Sequence, residues 1–246
     1  MRRRTASDSG VRHVLIRRCA GAVLAAAALL ANSALLQAQP RAEPGFSVAA
    51  TERLILAYER RFGPPSRGRI ESWKRFAAEH RDTAAAERAL IDAVNGFFNR
   101  LRFVEDQAHW GEPDYWATPA ESVGSGGADC EDYAIAKYFA LRELGVPAAR
   151  LRMVYVRAIR LDQAHMVLAY YARADADPLV LDNLEPATRP ASQRTDLVPV
   201  YSFNDEAIWV ETRGRVGSPQ QIRNWSALLE RLQRELALAG LARVAP

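Results

Sequence analysis

The hydrophobic pattern of this chain shifts from helical to strand period near residue 150 and back in a closing segment, and that order restricts the folds open to it. Between residues 52 and 144, apolar side chains recur every three or four positions, the repeat of an amphipathic helix. TERLILAYERRFG is helical in spacing and stops at Gly63, ahead of Pro64 and Pro65. RIESWKRFAAEH and TAAAERALIDAVNGFFNRLRF predict two more helices, the second with Leu90, Val94, Phe97 and Leu101 along one face. HWGEPDYWATPAESVGSGG reads as a loop. A further helix is expected from about Asp129 to Leu144, ended by Gly145 with Pro147 just beyond. Its stripe of Ala134, Tyr138 and Leu141 predicts packing on a sheet. From residue 152 the runs shorten to RMVYVRA, HMVLAYYA, LVLDNL and AIWV, each read as a strand. RADADP joins the second and third as a hairpin-like connection, and WSALLERLQRELALAG is a closing helix. Helices first and sheet second is the order of an α+β chain.

The charge is unevenly placed. Six of the 33 basic residues and one of the 29 acids fall in the first 38 positions, so the rest carries 27 and 28, a net of −1 rather than +4. The basicity therefore belongs to the N-terminus, and no basic-aromatic pattern for nucleic acid follows it. Arg17 and Arg18 close a positive segment, AGAVLAAAALLANSALL is apolar, and LLQAQP offers a cut after Ala38. Residues 1–38 are read as a secretory signal, 39–50 as a connector and 51–246 as one domain. Retained, the same run would be a membrane anchor, although it is short to span. Export places the mature chain, starting near Gln39, in the periplasm.

Cleavage also removes Cys19, leaving Cys130 as the one thiol, so the mature chain cannot form an internal disulfide. A lone thiol in an oxidising compartment is a candidate nucleophile, against the alternative of a small buried filler. Cys130 begins a predicted helix, whose free amides and partial positive charge favour a thiolate. His165 opens one strand and Asp182 ends the next, so an antiparallel pair can set them side by side. A thiol, a base to take its proton and an acid to orient the base form a nucleophilic constellation. The setting is odd: GGADCEDY surrounds the thiol with Asp129, Glu131 and Asp132, which should hold its proton on. Either the thiol is inert or something offsets the acids.

YWATPAESVGSGGADCEDYAIAKYFALRELGVP, AHMVLAYY, PLVLDNLEP and DLVPVYSFND resemble the bacterial transglutaminase-like cysteine proteinases, from about Leu54 to Trp209. The resemblance implies a papain-like, transglutaminase-like core: N-terminal helices plus an antiparallel sheet with the Cys-bearing helix packed on it. It implies Cys130 as nucleophile, His165 as general base and Asp182 as orienting acid. It further implies a calcium-dependent endopeptidase that cuts the N-terminal region of a large repeat adhesin. An inner-membrane cyclic-di-GMP receptor sequesters such enzymes, and their release promotes biofilm dispersal.

Two readings of the acids remain. Acids in a first helical turn are stabilising by themselves, at about 0.3–1 kcal/mol each. Alternatively Asp129, Glu131 and Asp132 hold a hard divalent cation, with carbonyls of the Gly-rich segment before them. The spacing is not that of an EF-hand, and calcium is implied by the resemblance. Trp116 reads as cleft lining or core, Asn183 as an aid to site order, and His80 and His109 as structural. The backbone N–H of Cys130 is an expected oxyanion donor. A transglutaminase or acyltransferase could use the same three residues, and a non-catalytic periplasmic binding protein could keep the fold.

Overall fold

The computed structural model describes residues 50–81, 87–210 and 212–241. The expected leader, and the connector except Ala50, lie outside the described residues. Among those described, no helix is long and apolar enough to cross a membrane.

Three helices open the described chain, α1 (Glu52–Phe62), α2 (Pro65–Arg81) and α3 (Glu87–Phe98). Pro65 stands at the first position of α2, where a missing N–H costs nothing. A two-residue strand β1 (Arg102–Phe103) and a single turn α4 (Asp106–His109) follow. The segment expected to be a loop contains a helix, α5 (Pro119–Ser125). Thr118 caps it by accepting from the Glu121 amide, while the Glu121 side chain accepts from the Thr118 amide. This reciprocal box, with Pro119 next to it, supplies the local stability that a short helix otherwise lacks.

Gly126 ends α5 with φ of 77°, a left-handed geometry that favours glycine. A Cβ at Gly127 would lie 2.8 Å from His109 Cε1, so this glycine permits close packing of the β2 backbone. β2 (Gly127–Ala128) pairs in parallel with β1, Arg102 opposite Gly127 and Phe103 opposite Ala128. This short ladder brings residue 106 up to residue 129.

α6 (Cys130–Glu143) runs from that point into the middle of the molecule. Its expected stripe, Ala134, Tyr138 and Leu141, is buried in the same core as Met153, Met166 and Leu168 of the sheet. Ile135 and Ala136 are also buried, so α6 is covered on most sides. A seven-stranded antiparallel sheet carries it: β3 (Leu151–Ala158), β4 (Gln163–Tyr170), β5 (Leu179–Leu181), β6 (Arg189–Pro190), β7 (Leu197–Phe203), β8 (Ile208–Val210) and β9 (Gly214–Gly217), in the order β6-β5-β4-β3-β7-β8-β9. α7 (Arg223–Leu238) packs Trp225 against Phe139 and Phe203. The α+β order and the helix-on-sheet packing are as the sequence reads. β6, β7 and β9 were not among the expected strands.

Candidate active site

Cys130 is the first residue of α6, and Asp129 precedes it with extended backbone angles. The Cys130 sulfur is partly buried, and the Met166 backbone amide faces it. The thiol thus rests against β4 one residue beyond His165. Its proton is directed at Glu131 Oε2, 2.9 Å away, and not at the imidazole. Burial, then Glu131 and Asp129, push the thiol far above its ordinary titration range; the Met166 amide opposes them.

His165 and Asp182 are brought side by side by the paired strands. Leu168 pairs with Leu181 across β4 and β5, which leaves His165 and Asp182 diagonal to each other just past the ladder. His165 Nε2 lies 2.8 Å from Asp182 Oδ1, and both residues are buried. Asp182 Oδ1 also accepts from the Leu184 amide at 3.0 Å, and Oδ2 accepts from Arg194 at 2.7 Å. Burial raises the Asp182 pKa, but the His165 bond and charge, the Leu184 amide and Arg194 outweigh it and bring the value down to about 2. An ionised Asp182 accepts the Nε2 proton and leaves Nδ1 as the free ring nitrogen.

The acids around the thiol divide. Asp129 and Asp132 converge with Asp106, each with an oxygen within 4.8 Å of the others; Asp106 and Asp132 are buried and Asp129 is partly so. Asp106, Asp114 and Glu131 form an overlapping group, so Glu131 faces the same region from the more exposed side. Asp132 Oδ1 accepts from the Ala117 amide at 2.7 Å, and an Asp106 oxygen accepts from the Tyr115 amide. Asp106 Oδ1, Asp129 Oδ1 and Asp132 Oδ2 are buried with no hydrogen-bond partner among the described residues. Burial and mutual repulsion raise all three carboxyls above the usual range. Asp129 makes no side-chain cap bond. The Asp132 amide nonetheless faces the Asp129 carboxyl and the Asp129 amide faces that of Asp132, as acids at a helix start do. Three orphaned carboxylate oxygens that face one another suit a hard oxygen-liganded cation such as calcium.

Most carbonyls of the Gly-rich segment each accept one hydrogen bond. Arg69 bonds Val123 O and Gly124 O, the Arg102 amide bonds Gly126 O, Ser125 bonds Gly127 O and the Val104 amide bonds Ala128 O. Asp106 and Asp114 join the acids beside Cys130 in these two groups, and no sequence pattern points to either. Trp116 belongs to the core, stacked on Phe203 at 5.7 Å, with its ring N–H on Asp114. His80 stacks on Phe76 and His109 bonds Ser125, so neither joins the site. Asn183 Oδ1 finds no partner among the described residues; the Leu184 amide does the ordering beside Asp182.

The sequence and fold are similar to known proteins. The family model of the bacterial transglutaminase-like cysteine proteinases matches residues 71–215. Legionella pneumophila LapG aligns with 36% identity and a TM-score of 0.64, over 74% of this chain and 96% of that one. Its EGTA-treated form aligns at 37% with a TM-score of 0.66, over 74% and 96%. Its calcium-bound form aligns at 37% with a TM-score of 0.63, over 72% and 97%. No curated protein matches the sequence significantly. A helix-borne thiol against an antiparallel sheet, matched in sequence and in structure across most of the domain, fixes the kinship: the chain belongs to the bacterial transglutaminase-like cysteine proteinases.

Proposed function

We propose that this chain is an exported, calcium-dependent cysteine endopeptidase that cleaves the N-terminal region of a large repeat adhesin. The observation that carries the chemistry is the His165–Asp182 hydrogen bond beside the only thiol of the domain. In the reaction, Cys130 turns from Glu131 to the free Nδ1 of His165 and gives up its proton. Sγ adds to the scissile carbonyl carbon, and the oxygen takes the charge against the Cys130 amide at the start of α6. His165 protonates the leaving amine, and a thioester remains on Sγ. Water, deprotonated by His165, hydrolyses the thioester and restores the thiol. Asp182 stays ionised throughout and holds the imidazolium.

Asp106, Asp129 and Asp132 would hold the calcium, with Glu131 and Asp114 on its open side. Bound there, calcium supplies positive charge that offsets the acids beside the thiolate. The calcium-bound and EGTA-treated forms of LapG support this assignment. The adhesin substrate, a cut in an alanine-rich linker, sequestration by an inner-membrane cyclic-di-GMP receptor and periplasmic release after cleavage near Ala38 all rest on the family resemblance.

The test incubates the chain from Gln39 onward with an N-terminal adhesin fragment from the same genome. Wild type should cut it at one site. Cys130→Ala and His165→Ala should leave it intact while keeping the wild-type circular dichroism. Incorporation of an amine in place of hydrolysis would establish the transferase alternative. Cleavage by Cys130→Ala would sink the assignment.

A further inference from the structure

The triad acid has a partner that the general mechanism does not require. Arg194 follows a single 3-10 turn (Ala191–Gln193), where its amide bonds Ala191 O and its carbonyl accepts from the Leu197 amide as β7 begins. Its side chain is only 7% exposed. Asp196 grips the guanidinium from the side, with Nε at 3.0 Å from Oδ1 and Nη2 at 2.9 Å from Oδ2. That grip uses one of the two Nη2 hydrogens and turns the other toward Asp182 Oδ2, at 2.7 Å. Every oxygen of Asp182 is therefore spoken for: Oδ1 by His165 and the Leu184 amide, Oδ2 by Arg194, and the main-chain carbonyl by Asn99 Nδ2. The other charged group near it is Lys137 of α6, which acts on Asp182 through space.

A buried carboxylate held by a single imidazole can rotate about χ2 or take up a proton. Arg194 opposes both. Its charge is permanent at any working pH, and its planar fork can bond two carboxylates at fixed angles, which a lysine ammonium cannot. We propose that Arg194 is a positioning residue of the protease, and that Asp182 works as one member of an Asp182–Arg194–Asp196 unit that aims Oδ1 at His165. Arg194 touches neither substrate nor thiol and acts only through Asp182. The inference rests on the triad reading above.

The experiment compares Arg194→Gln, Arg194→Lys and Asp196→Asn, each also in an Asp182→Asn background, all calcium-loaded and on one adhesin fragment. Asp182→Asn alone should lower kcat by about 10⁴-fold. Arg194→Gln should lower kcat by about 10–100-fold with KM little changed, the size expected for an outer partner of a reactive group. Arg194→Lys should recover part of that loss, and Asp196→Asn should lose less than Arg194→Gln. In the Asp182→Asn background, Arg194→Gln should cost under about threefold, because the acid it serves is gone. The downfield proton signal of the His165 Nε2–H should weaken or shift in Arg194→Gln and survive in Arg194→Lys. Full kcat in Arg194→Gln beside a crippled Asp182→Asn would overturn this proposal alone. Equal losses in both backgrounds would also overturn it, since they mark a structural role. Wild-type turnover by Asp182→Asn would overturn the triad reading, and the role of Arg194 with it. Should Arg194→Gln fail to fold, Asp196→Asn keeps the charge and loosens only the grip; an unchanged imidazole signal and kcat there would reject the positioning role.

Discussion

Two sets of carboxylates lie near Cys130 and His165, and they have opposite electrostatics. Asp182 is held by hydrogen-bond donors: Arg194 and His165 both bond it, and its pKa falls to about 2 despite burial. Asp106, Asp129 and Asp132 lie among one another, with three orphaned oxygens and raised pKa values. The difference teaches where the protein completes a site by itself and where it leaves one to be completed. Burial disfavours an isolated carboxylate in either place. On the Asp182 side the chain provides the counter-charge as a side chain. On the other side it provides oxygens only, and under the proposed function the counter-charge is a calcium ion from solution. On that proposal one half of the machinery is permanent and the other half is switchable by an ion.

Removing the ion is the most drastic way to test this contrast. In EGTA, cleavage of the adhesin fragment should stop, and added calcium should restore it. Magnesium should restore it poorly, because it demands a tighter octahedral shell and gives up water reluctantly. The His165 Nε2–H signal should persist in EGTA, since the Asp182 side needs no metal. Full cleavage by protein shown to be metal-free would reduce the acids to helix-start residues. Loss of the imidazole signal in EGTA would show that the two halves are not independent.

Asp106→Asn comes next in size. It keeps the volume of the side chain and its bond to the Tyr115 amide, and it removes one carboxylate from the three that converge. Calcium affinity, measured by titration calorimetry, should fall by about 10–100-fold, and saturating calcium should return most of the activity. Affinity equal to wild type would exclude Asp106 from the site and return attention to Asp129, Glu131 and Asp132 alone.

Stability against pH reads the same contrast without catalysis. A carboxyl whose folded pKa is raised binds its proton more tightly in the native state. Its contribution is present below the unfolded value of about 4 and is lost as pH climbs through the folded value. Asp182 has the reverse sign: its contribution is present above about 4 and is lost only as pH falls toward about 2. Metal-free protein should therefore melt at steadily lower temperature from pH 5 to pH 8. Calcium at about 100 times its Kd should add about 2.7 kcal/mol, or about 5–10 °C for a domain of this size, most of it at the alkaline end. Glu235, raised to about 7 by burial, slopes the same way in both samples, so the difference between them isolates the cluster. Parallel curves with and without calcium would mean that the three aspartates do not titrate as a cation site.

How far the sequence revealed each half follows from how locally each is built. Cys130 at a helix start, His165 on one hairpin strand with Asp182 one residue past the next, and Gly145 as a helix stop follow from short-range patterns. Asp106 reaches Asp129 through two residues of parallel ladder, and no periodicity announces such a pairing. Arg194 is one of many arginines until the turn before β7 folds it under Asp182. β7 hid behind Pro199, which argues against a central strand. The sheet admits it because β8 pairs only with Ser202 and Phe203, so the chain beside Pro199 is in effect an edge; Val198 and Val200 there are exposed, which further blurs the alternation. α5 was legible: Thr118-Pro119-Ala120-Glu121 is a capping box, and the glycines after it masked the signal.

The mildest change for turnover concerns the cation that Asp182 does not bond. Lys137 lies seven residues after Cys130 on α6, fully buried, with no hydrogen-bond partner for Nζ among the described residues. Burial lowers its pKa to about 7, and only the charge of Asp182 pulls the other way. If Arg194 already fixes and neutralises the acid, Lys137 is redundant for chemistry, and Lys137→Met should leave kcat/KM within about threefold. Stability should move more. A lysine with a lowered folded pKa costs most at pH values below its folded value, and the cost fades as pH rises toward its unfolded value of about 10.4. A methionine of similar length carries no such cost, so the variant should melt higher than wild type at pH 6, and the gap should narrow at pH 9. A tenfold or greater loss of kcat in a well-folded Lys137→Met would show that Asp182 depends on two cations, and that its side of the molecule is less self-sufficient than the Arg194 contact suggests.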